Sequence, residues 1–430
     1  MIQQILFSLI LIVAVSLFTF NIKKIIRNIS IGKKIDRTDR KKERWLTMLK
    51  VAFGQRKMTA RPIAALMHFF VYIGFVIINI EVLEIIIDGI FGTHRVLSFL
   101  GGFYSFLIGS FEILALLVLV GVVVFLFRRL IIRVKRFSGV EMTKWPKSDA
   151  INILVIEVLL MLAFLTMNAA DYKLQLAGVY HQAGSFPISQ FLAGILPSST
   201  DSLVMIERFC WWFHIIGILA FLNYLPYSKH FHILLAFPNT WYSNLKPKGE
   251  FNNMTSVNNE VKAMLDPSFV PPISTEISRF GAKDVQDLNW VQLMNAYTCT
   301  ECGRCTSVCP ANITGKLLSP RKIMMDTRDR LEEVSKNLDH HDKSYDDGKS
   351  LLDDYITREE IWACTSCNAC VEACPVNIDP LSIIVDLRRY AVMEESNASN
   401  SINTMFSNIE NNGAPWKYSP SDRFNWAKQS

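Results

Sequence analysis

Five stretches in the first half of the chain are almost purely apolar, at 2–20, 62–87, 102–127, 150–170 and 204–228. At about 1.5 Å of rise per residue, each is long enough to cross a hydrocarbon core roughly 30 Å thick. Beyond residue 235 the pattern changes. Short amphipathic stretches at 285–297, 319–336 and 377–394 alternate with polar loops, and none shows the period-two alternation of a strand. The expected fold is mostly α. A five-helix membrane bundle at 1–235 leads through a connector at 236–284 to a helical domain at 285–395. The last segment, 396–430, is rich in Asn and Ser and reads as a flexible tail, with aromatics (Trp416, Phe424, Trp426) suited to docking on a partner.

Charge orients the bundle. Segment 22–61 carries fourteen Lys or Arg and segment 128–147 carries seven, whereas 88–101 and 171–203 carry one each, Arg95 and Lys173. Basic residues stay on the cytoplasmic side of spans, so the expected topology has the N-terminus outside and everything after about residue 230 in the cytoplasm of a bacterial inner membrane. No basic region precedes the first apolar run, so it reads as a span rather than a cleaved leader. The basic segments serve topology on this reading, with no role in nucleic-acid binding.

Eight of the nine cysteines fall in two runs, Cys299 to Cys309 and Cys364 to Cys374, each spaced C-x2-C-x2-C-x3-C and followed by proline. This is the spacing that holds two [4Fe-4S] cubanes, three thiolates of each run binding one cluster and the fourth reaching across to the other. By that logic Cys299, Cys302, Cys305 and Cys374 form one ligand set, and Cys364, Cys367, Cys370 and Cys309 the other. Structural zinc sites use separated CxxC pairs instead, and a disulfide framework needs an oxidising compartment. Cys210 stands apart.

Histidine and acidic residues inside spans are costly and point to function. His68 falls near the cytoplasmic start of the second span, His214 in the outer half of the fifth and His232 at its cytoplasmic end. Eighteen residues separate the last two, five turns of an unbroken helix, which predicts one shared face and a separation of about 27 Å. Such stacking suits b-type haems at two depths. Glu81, Glu84, Glu112 and Glu157 lie in or near spans as candidate proton or quinol groups, or as partners for arginine. Trp211 and Trp212 read as interfacial anchors or haem packing. His340 and His341, among Asp339, Asp342 and Asp346, read as a solvated charged loop.

His214-Ile-Ile-Gly followed by Pro226-Tyr-Ser-Lys-His-Phe-His232 resembles the last helix of the nitrate reductase gamma subunit, and is similar to the cytochrome b of membrane heterodisulfide reductases. The resemblance implies that the final helix gives one ligand to each of two haems, with partners on the second helix. His68 then pairs with His232, or with His230 in its place. Ile78 stands where the outer partner is expected, which leaves that ligand open between His94, His181 and no outer haem. Helices flanking both cysteine runs, together with Leu318-Ser-Pro-Arg-Lys, Cys374-Pro-Val-Asn-Ile-Asp and Asp386-Leu-Arg-Arg, resemble the α-helical ferredoxin domain of the two-cluster iron–sulfur subunit of heterodisulfide reductase.

Together these imply a cytochrome b–ferredoxin fusion. It would pass electrons between the (mena)quinone pool, one or two b haems, two [4Fe-4S] clusters and a soluble or peripheral CCG-domain catalytic partner. The chain carries no nucleophile constellation, GxGxxG fingerprint or P-loop, so no catalytic residue is assigned. Two other functions fit the same motifs: a self-contained ferredoxin:quinone oxidoreductase, and a membrane-anchored iron–sulfur sensor.

Overall fold

The computed structural model describes residues 1–272, 279–341 and 345–428, so Asp342 of the acidic loop lies outside the described residues. Five helices are long and apolar enough to span a membrane: α1 (Ile2–Ile29), α2 (Pro62–Phe91), α3 (Gly102–Leu130), α4 (Lys144–Leu176) and α5 (Thr200–Tyr224). Together with the ferredoxin-type domain they mark a membrane protein, mostly helical and without named strands among the described residues. Every helix runs beyond the apolar core of its span, because polar and charged residues continue it into the interface.

Small residues let the helices approach. A Cβ on Gly74 of α2 would stand 2.3 Å from a methyl of Val118 in α3, so the two backbones pack closer than any larger residue would allow. On α5, Trp211 and Trp212 hold Phe7 of α1 at ring-centroid distances of 5.6 and 6.0 Å. Those tryptophans therefore join two helices instead of anchoring at the water boundary.

The end of the bundle remote from the cysteine runs holds a buried polar knot. Arg95, 7 % exposed, donates to Asp171 at 2.5 Å, Asn168 at 2.9 Å and Tyr104 at 3.1 Å. Tyr104 donates to Glu84, and Glu112 accepts from Asn168 and from the backbone N–H groups of Ile188 and Ser189. Glu84 and Glu112 thus tie helices to the loops at that end. Glu81 keeps Oε2 buried without a partner.

The fifth span departs from the expected continuous helix. It ends at Tyr224, passes through two 3-10 turns at Leu225–Tyr227 and Lys229–Phe231, and restarts as α6 (His232–Trp241). Pro226 lacks a backbone N–H, and Ser228 is extended (φ −113°, ψ 150°), its hydroxyl accepting the His230 N–H at 3.0 Å. Asp149 of α4 fixes the break by accepting the Tyr224 hydroxyl at 2.5 Å and the Lys229 N–H at 3.1 Å. The five-turn register between His214 and His232 is accordingly lost.

The half that follows the bundle is built on α7 (Trp290–Thr298), α8 (Pro320–His340) and α9 (Pro380–Met393). Each start is capped by a side chain, from Asn289, Ser319 and Asp379 respectively, which satisfies N–H groups that have no partner in the first turn. After Trp290, every residue of α7 is buried, because it packs on the membrane half as well as on α8 and α9. One apolar core runs through both halves, from Ile25, Ile153, Phe221 and Phe231 to Leu288, Leu293 and Tyr297.

Polar contacts fix the junction. The Lys33 N–H donates to Leu288 O at 2.7 Å and the Trp290 N–H to Lys33 O at 3.2 Å, a short parallel bridge between residues remote in sequence. Arg44, 1 % exposed, donates to the carbonyls of Trp241 and Ser243 at 3.0 and 3.1 Å. Part of the basic segment 22–61 is therefore structural as well as a topology signal. The tail forms a helix, Asn400–Asn412, with no buried residue.

Gly32 sits at the tightest point of the junction: a Cβ there would lie 2.7 Å from Trp290 N and 2.8 Å from Asn289 C. Both obstacles are backbone and cannot swing away. Gly32→Val is expected to raise hydrogen exchange at the Lys33 and Trp290 amides by at least tenfold, about 1.4 kcal/mol of local stability. Unchanged protection would show that the bridge does not hold the two halves together.

Candidate metal centres

The two cysteine loops share a backbone design. In the first, Glu301 (φ 53°) and Gly303 (φ 69°) are left-handed; in the second, Ser366 (φ 56°) and Asn368 (φ 60°) occupy the same offsets from the leading cysteine. Alternating left-handed residues coil the loop around a concavity and turn backbone N–H groups inward, a cradle for negative charge. Two such donors are the Ser366 N–H, to Cys364 Sγ at 3.4 Å, and the Ile378 N–H, to Cys374 Sγ at 3.3 Å.

Cys299, Cys302, Cys305 and Cys374 line one small cavity, together with Cys370, Gly303, Arg304, Arg321 and Met324. Cys309 ends a 3-10 turn in an extended conformation ahead of Pro310. It lies within electrostatic reach of Cys364 and Cys370. The structure thus brings Cys374 to Cys299, Cys302 and Cys305, and Cys309 to Cys364 and Cys370. Among the described residues, no three His, Cys, Asp or Glu side chains converge as one bound ion would require. A cubane asks for something wider, because its four thiolates bind four different irons. Burial pushes the Cys299 thiol up to about 12 and the Cys374 thiol up to about 11. Both thiols are neutral until metal displaces their protons. The residues fit two iron–sulfur clusters.

The histidines divide into two groups. His68 and His232 face each other with ring centroids 6.4 Å apart. Two imidazoles on opposite faces of one iron, each nitrogen about 2 Å from the metal, hold their centroids roughly 6 Å apart. His68 Nδ1 is 2.9 Å from Gln55 Oε1, and His232 Nδ1 is 3.1 Å from Lys229 O. Each ring is therefore anchored through one nitrogen, with Nε2 left as the ligand atom, the arrangement that metal-binding histidines use. His230 packs on Phe221 at 5.3 Å and edge-on to His232 at 5.5 Å. The pair fits a bis-histidine haem at the end of the bundle that meets the cysteine domain.

His214, 2 % exposed, is anchored in the same way, its Nδ1 3.0 Å from Leu160 O and its ring against Phe164. The structure does not bring His94 to it. His94 stacks on Tyr180 at 4.4 Å and sets Nε2 3.8 Å from Asp171, drawn there by the polar knot around Arg95. His181 is exposed on the loop before α5. Of the candidates for the second ligand beside His214, His94 is thus in contact with the knot.

Between the two centres lies a buried ion-pair chain that the motifs do not announce. Lys229, 9 % exposed, forms a short hydrogen bond with Glu301 and donates to Pro146 O at 2.6 Å. Glu301 accepts from Arg328 at 2.8 Å. Burial pushes the Lys229 ammonium down while Glu301 pushes it back; Arg328 and Lys229 together hold the Glu301 carboxyl below its ordinary range, against the burial that raises it. Through its carbonyl Lys229 holds His232, and through its ammonium it holds the loop of the first cysteine run. A lysine between two histidines and a glutamate inside a ligand loop are the sequence signals, and neither identifies its partner.

Residues 298–378 match the family model described as a 4Fe-4S dicluster domain. Along its whole length the chain is similar to the "Probable iron-sulfur-binding oxidoreductase FadF" of Bacillus subtilis (strain 168), at 29 % identity over 100 % of this chain and 61 % of the relative. It is similar also to the "EtfAB:quinone oxidoreductase" of Syntrophomonas wolfei, at 27 % identity over 98 % of this chain and 59 % of the relative. The cysteine region alone is 32 % identical to one subunit of the "Ferredoxin/F(420)H(2)-dependent CoB-CoM heterodisulfide reductase" of Methanosarcina acetivorans, over 24 % of this chain and 49 % of that one. The chain spans about three-fifths of the length of the first two relatives. No solved structure matches. An iron–sulfur oxidoreductase among these relatives and the dicluster match support membrane-associated electron transfer in general for a chain with five apolar helices.

Breaking the buried chain at one partner leaves the other charge stranded. Lys229→Met and Glu301→Gln are each expected to cost ~3–5 kcal/mol, and the double variant less than their sum by ~0.5–3 kcal/mol. Thermal melts of the holoprotein in detergent, followed by cluster absorbance, test this. Simple additivity would mean that the two residues do not act as a pair.

Proposed function

We propose that this chain is a membrane electron conduit between the quinone pool and a soluble redox partner, by way of b-type haem and two [4Fe-4S] clusters. The observation that carries the proposal is the His68–His232 pair, 6.4 Å apart at the bundle end and tied by Lys229 to the first cysteine loop. His68 and His232 would hold the inner haem and His214 would be one ligand of an outer one. The haem would supply single-electron exchange at membrane depth; the surrounding residues orient the imidazoles, exclude water and keep Nδ1 protonated. Cys299, Cys302, Cys305 and Cys374 would hold the first cluster, and Cys364, Cys367, Cys370 and Cys309 the second. Basic residues in 22–61 and 128–147 support a cytoplasmic position for the cluster domain, with the N-terminus outside.

Two readings of the soluble partner have support. A CCG-domain catalytic protein follows from the likeness of the cysteine region to a heterodisulfide reductase subunit. A quinone reductase fed by a soluble electron carrier follows from the relative named EtfAB:quinone oxidoreductase, whose likeness covers nearly the whole chain. The second rests on the longer match.

An anaerobic optical and EPR titration of the detergent-purified chain tests the proposal. The expected result is about eight irons per chain, together with a b-type absorbance that bleaches when quinone is added to the reduced protein. His68→Ala and His232→Ala should each lose the inner component at unchanged iron content. Full iron with no haem absorbance in the unmodified chain would overturn the haem assignment and leave the bundle as an anchor.

A further inference from the structure

The two cysteine loops share spacing and backbone, yet their electrostatic surroundings differ. Arg304 belongs to the first loop and lines its cavity beside Arg321. Arg321 is neutralised by Glu141 at 2.7 Å, and Arg328 by Glu301 at 2.8 Å. Arg304 has no such partner: its guanidinium donates only to a carbonyl, that of Lys57, at 3.0 Å. Arg136 lies within electrostatic reach of Cys302, of Arg304 and of two more arginines, Arg61 and Arg128. Arg136 Nε and Nη1 are buried without any hydrogen-bond partner. Arg61 meets the hydroxyl of Ser307 at 2.8 Å. Among the described residues, none of Arg61, Arg128, Arg136 and Arg304 is in an ion pair with a carboxylate. Like charges so gathered repel, and a negative group among them offsets that repulsion; the groups within reach are Cys302, for Arg136 and Arg304, and Cys374, for Arg304.

At the second loop the corresponding cation is Arg388 alone, which is likewise in no ion pair with a carboxylate among the described residues and acts on Cys364. Arg388 donates to Cys364 O at 2.5 Å while stacking on Trp362 at 5.1 Å. Asp379 acts on Cys370 with the opposite sign. Glu372, between Cys370 and Cys374, pairs outward with Lys248 and lies 4.0 Å from Lys57. Inward backbone donors differ in the same sense: the N–H groups of Glu301, Val376 and Ile378 reach the first sulfur set, and those of Ser366 and Val371 the second. Exposure of Cys367 works the other way, because water also stabilises added negative charge. It acts on one thiolate, whereas Arg304 acts on both Cys302 and Cys374 and Arg136 adds to its action on Cys302.

We propose that Arg136 and Arg304, backed by Arg61 and Arg128, raise the reduction potential of the first cluster above that of the second. Adding an electron adds one negative charge, and fixed cations with inward N–H donors favour the site that receives it. A soluble reduced carrier then gives one electron at the exposed Cys367 side. The second cluster is oxidised as the first is reduced by that electron, which leaves toward a quinone in the membrane. The proposal rests on the two-cluster reading alone and does not require haem.

An EPR-monitored redox titration of the full chain in detergent, holding both clusters, tests it. Arg388→Gln marks the wave of the second cluster. Arg136→Gln, which lies outside both loops, is expected to lower only the other, higher-potential wave, by up to tenfold in the reduction equilibrium, about 59 mV for one electron. Arg304→Gln should move the same wave; should it lose iron, Arg136→Gln still decides. The proposal is overturned if Arg136→Gln moves the lower wave, or moves neither at unchanged iron content. In the latter case the arginines answer to another anion, such as a lipid phosphate, and vesicle binding that falls with Arg136→Gln only when anionic lipid is present would identify it. Absence of haem or of quinone bleaching leaves both cluster waves readable, so failure of the wider proposal is distinguishable.

Discussion

A lysine ammonium taken out of water must be met by carboxylate, and Lys229 is met by Glu301, with Asp149 behind it at 3.8 Å. Each of the three comes from a different part of the chain: the break after α5, the first cysteine loop and the start of α4. Because an unpaired buried charge is so costly, the three segments hold one arrangement relative to each other. The break in the fifth span follows from it, since Asp149 also accepts the Lys229 N–H and the Tyr224 hydroxyl. His232 inherits its position from the same residue, through the carbonyl of Lys229. Stability and redox geometry thus depend on one set of charges.

Much of this was legible in sequence. Apolar runs predict five spans because a hydrocarbon environment allows little else, and all five are present as helices. The cysteine spacing gives the ligand loops because three thiolates can face one cubane only from a tight turn. The break at Ser228 was not legible. Proline at 226 signals a kink as well as a stop, and what decides is Asp149, almost eighty residues earlier. Gln55 beside His68, Arg44 beneath α6 and Phe7 between the two tryptophans share that character. Each is an ordinary residue whose meaning comes from a long-range neighbour, and local patterns do not carry that information.

The two cysteine loops show where likeness in sequence stops being likeness in environment. Their backbones repeat down to the left-handed residues, so both offer the same cradle. The first is pressed against the membrane half, where Arg136 and Lys57 arrive from other segments, and the second faces outward with Cys367 exposed. Two motifs of one spacing and one backbone thus acquire different electrostatics from docking and from Arg304 within the first loop.

The bridge between Lys33 and Asn289 has a consequence for biogenesis. Lys33 leaves the ribosome roughly 250 residues before the segment that will cover it, a delay of about ten to fifty seconds at ordinary elongation rates. During that interval the Lys33 end of α1 and the adjoining base of the bundle present the apolar surface that α7 will later bury. The membrane half is therefore an unfinished template until the cluster domain is made, and quality control of the nascent chain has a window in which to act on it.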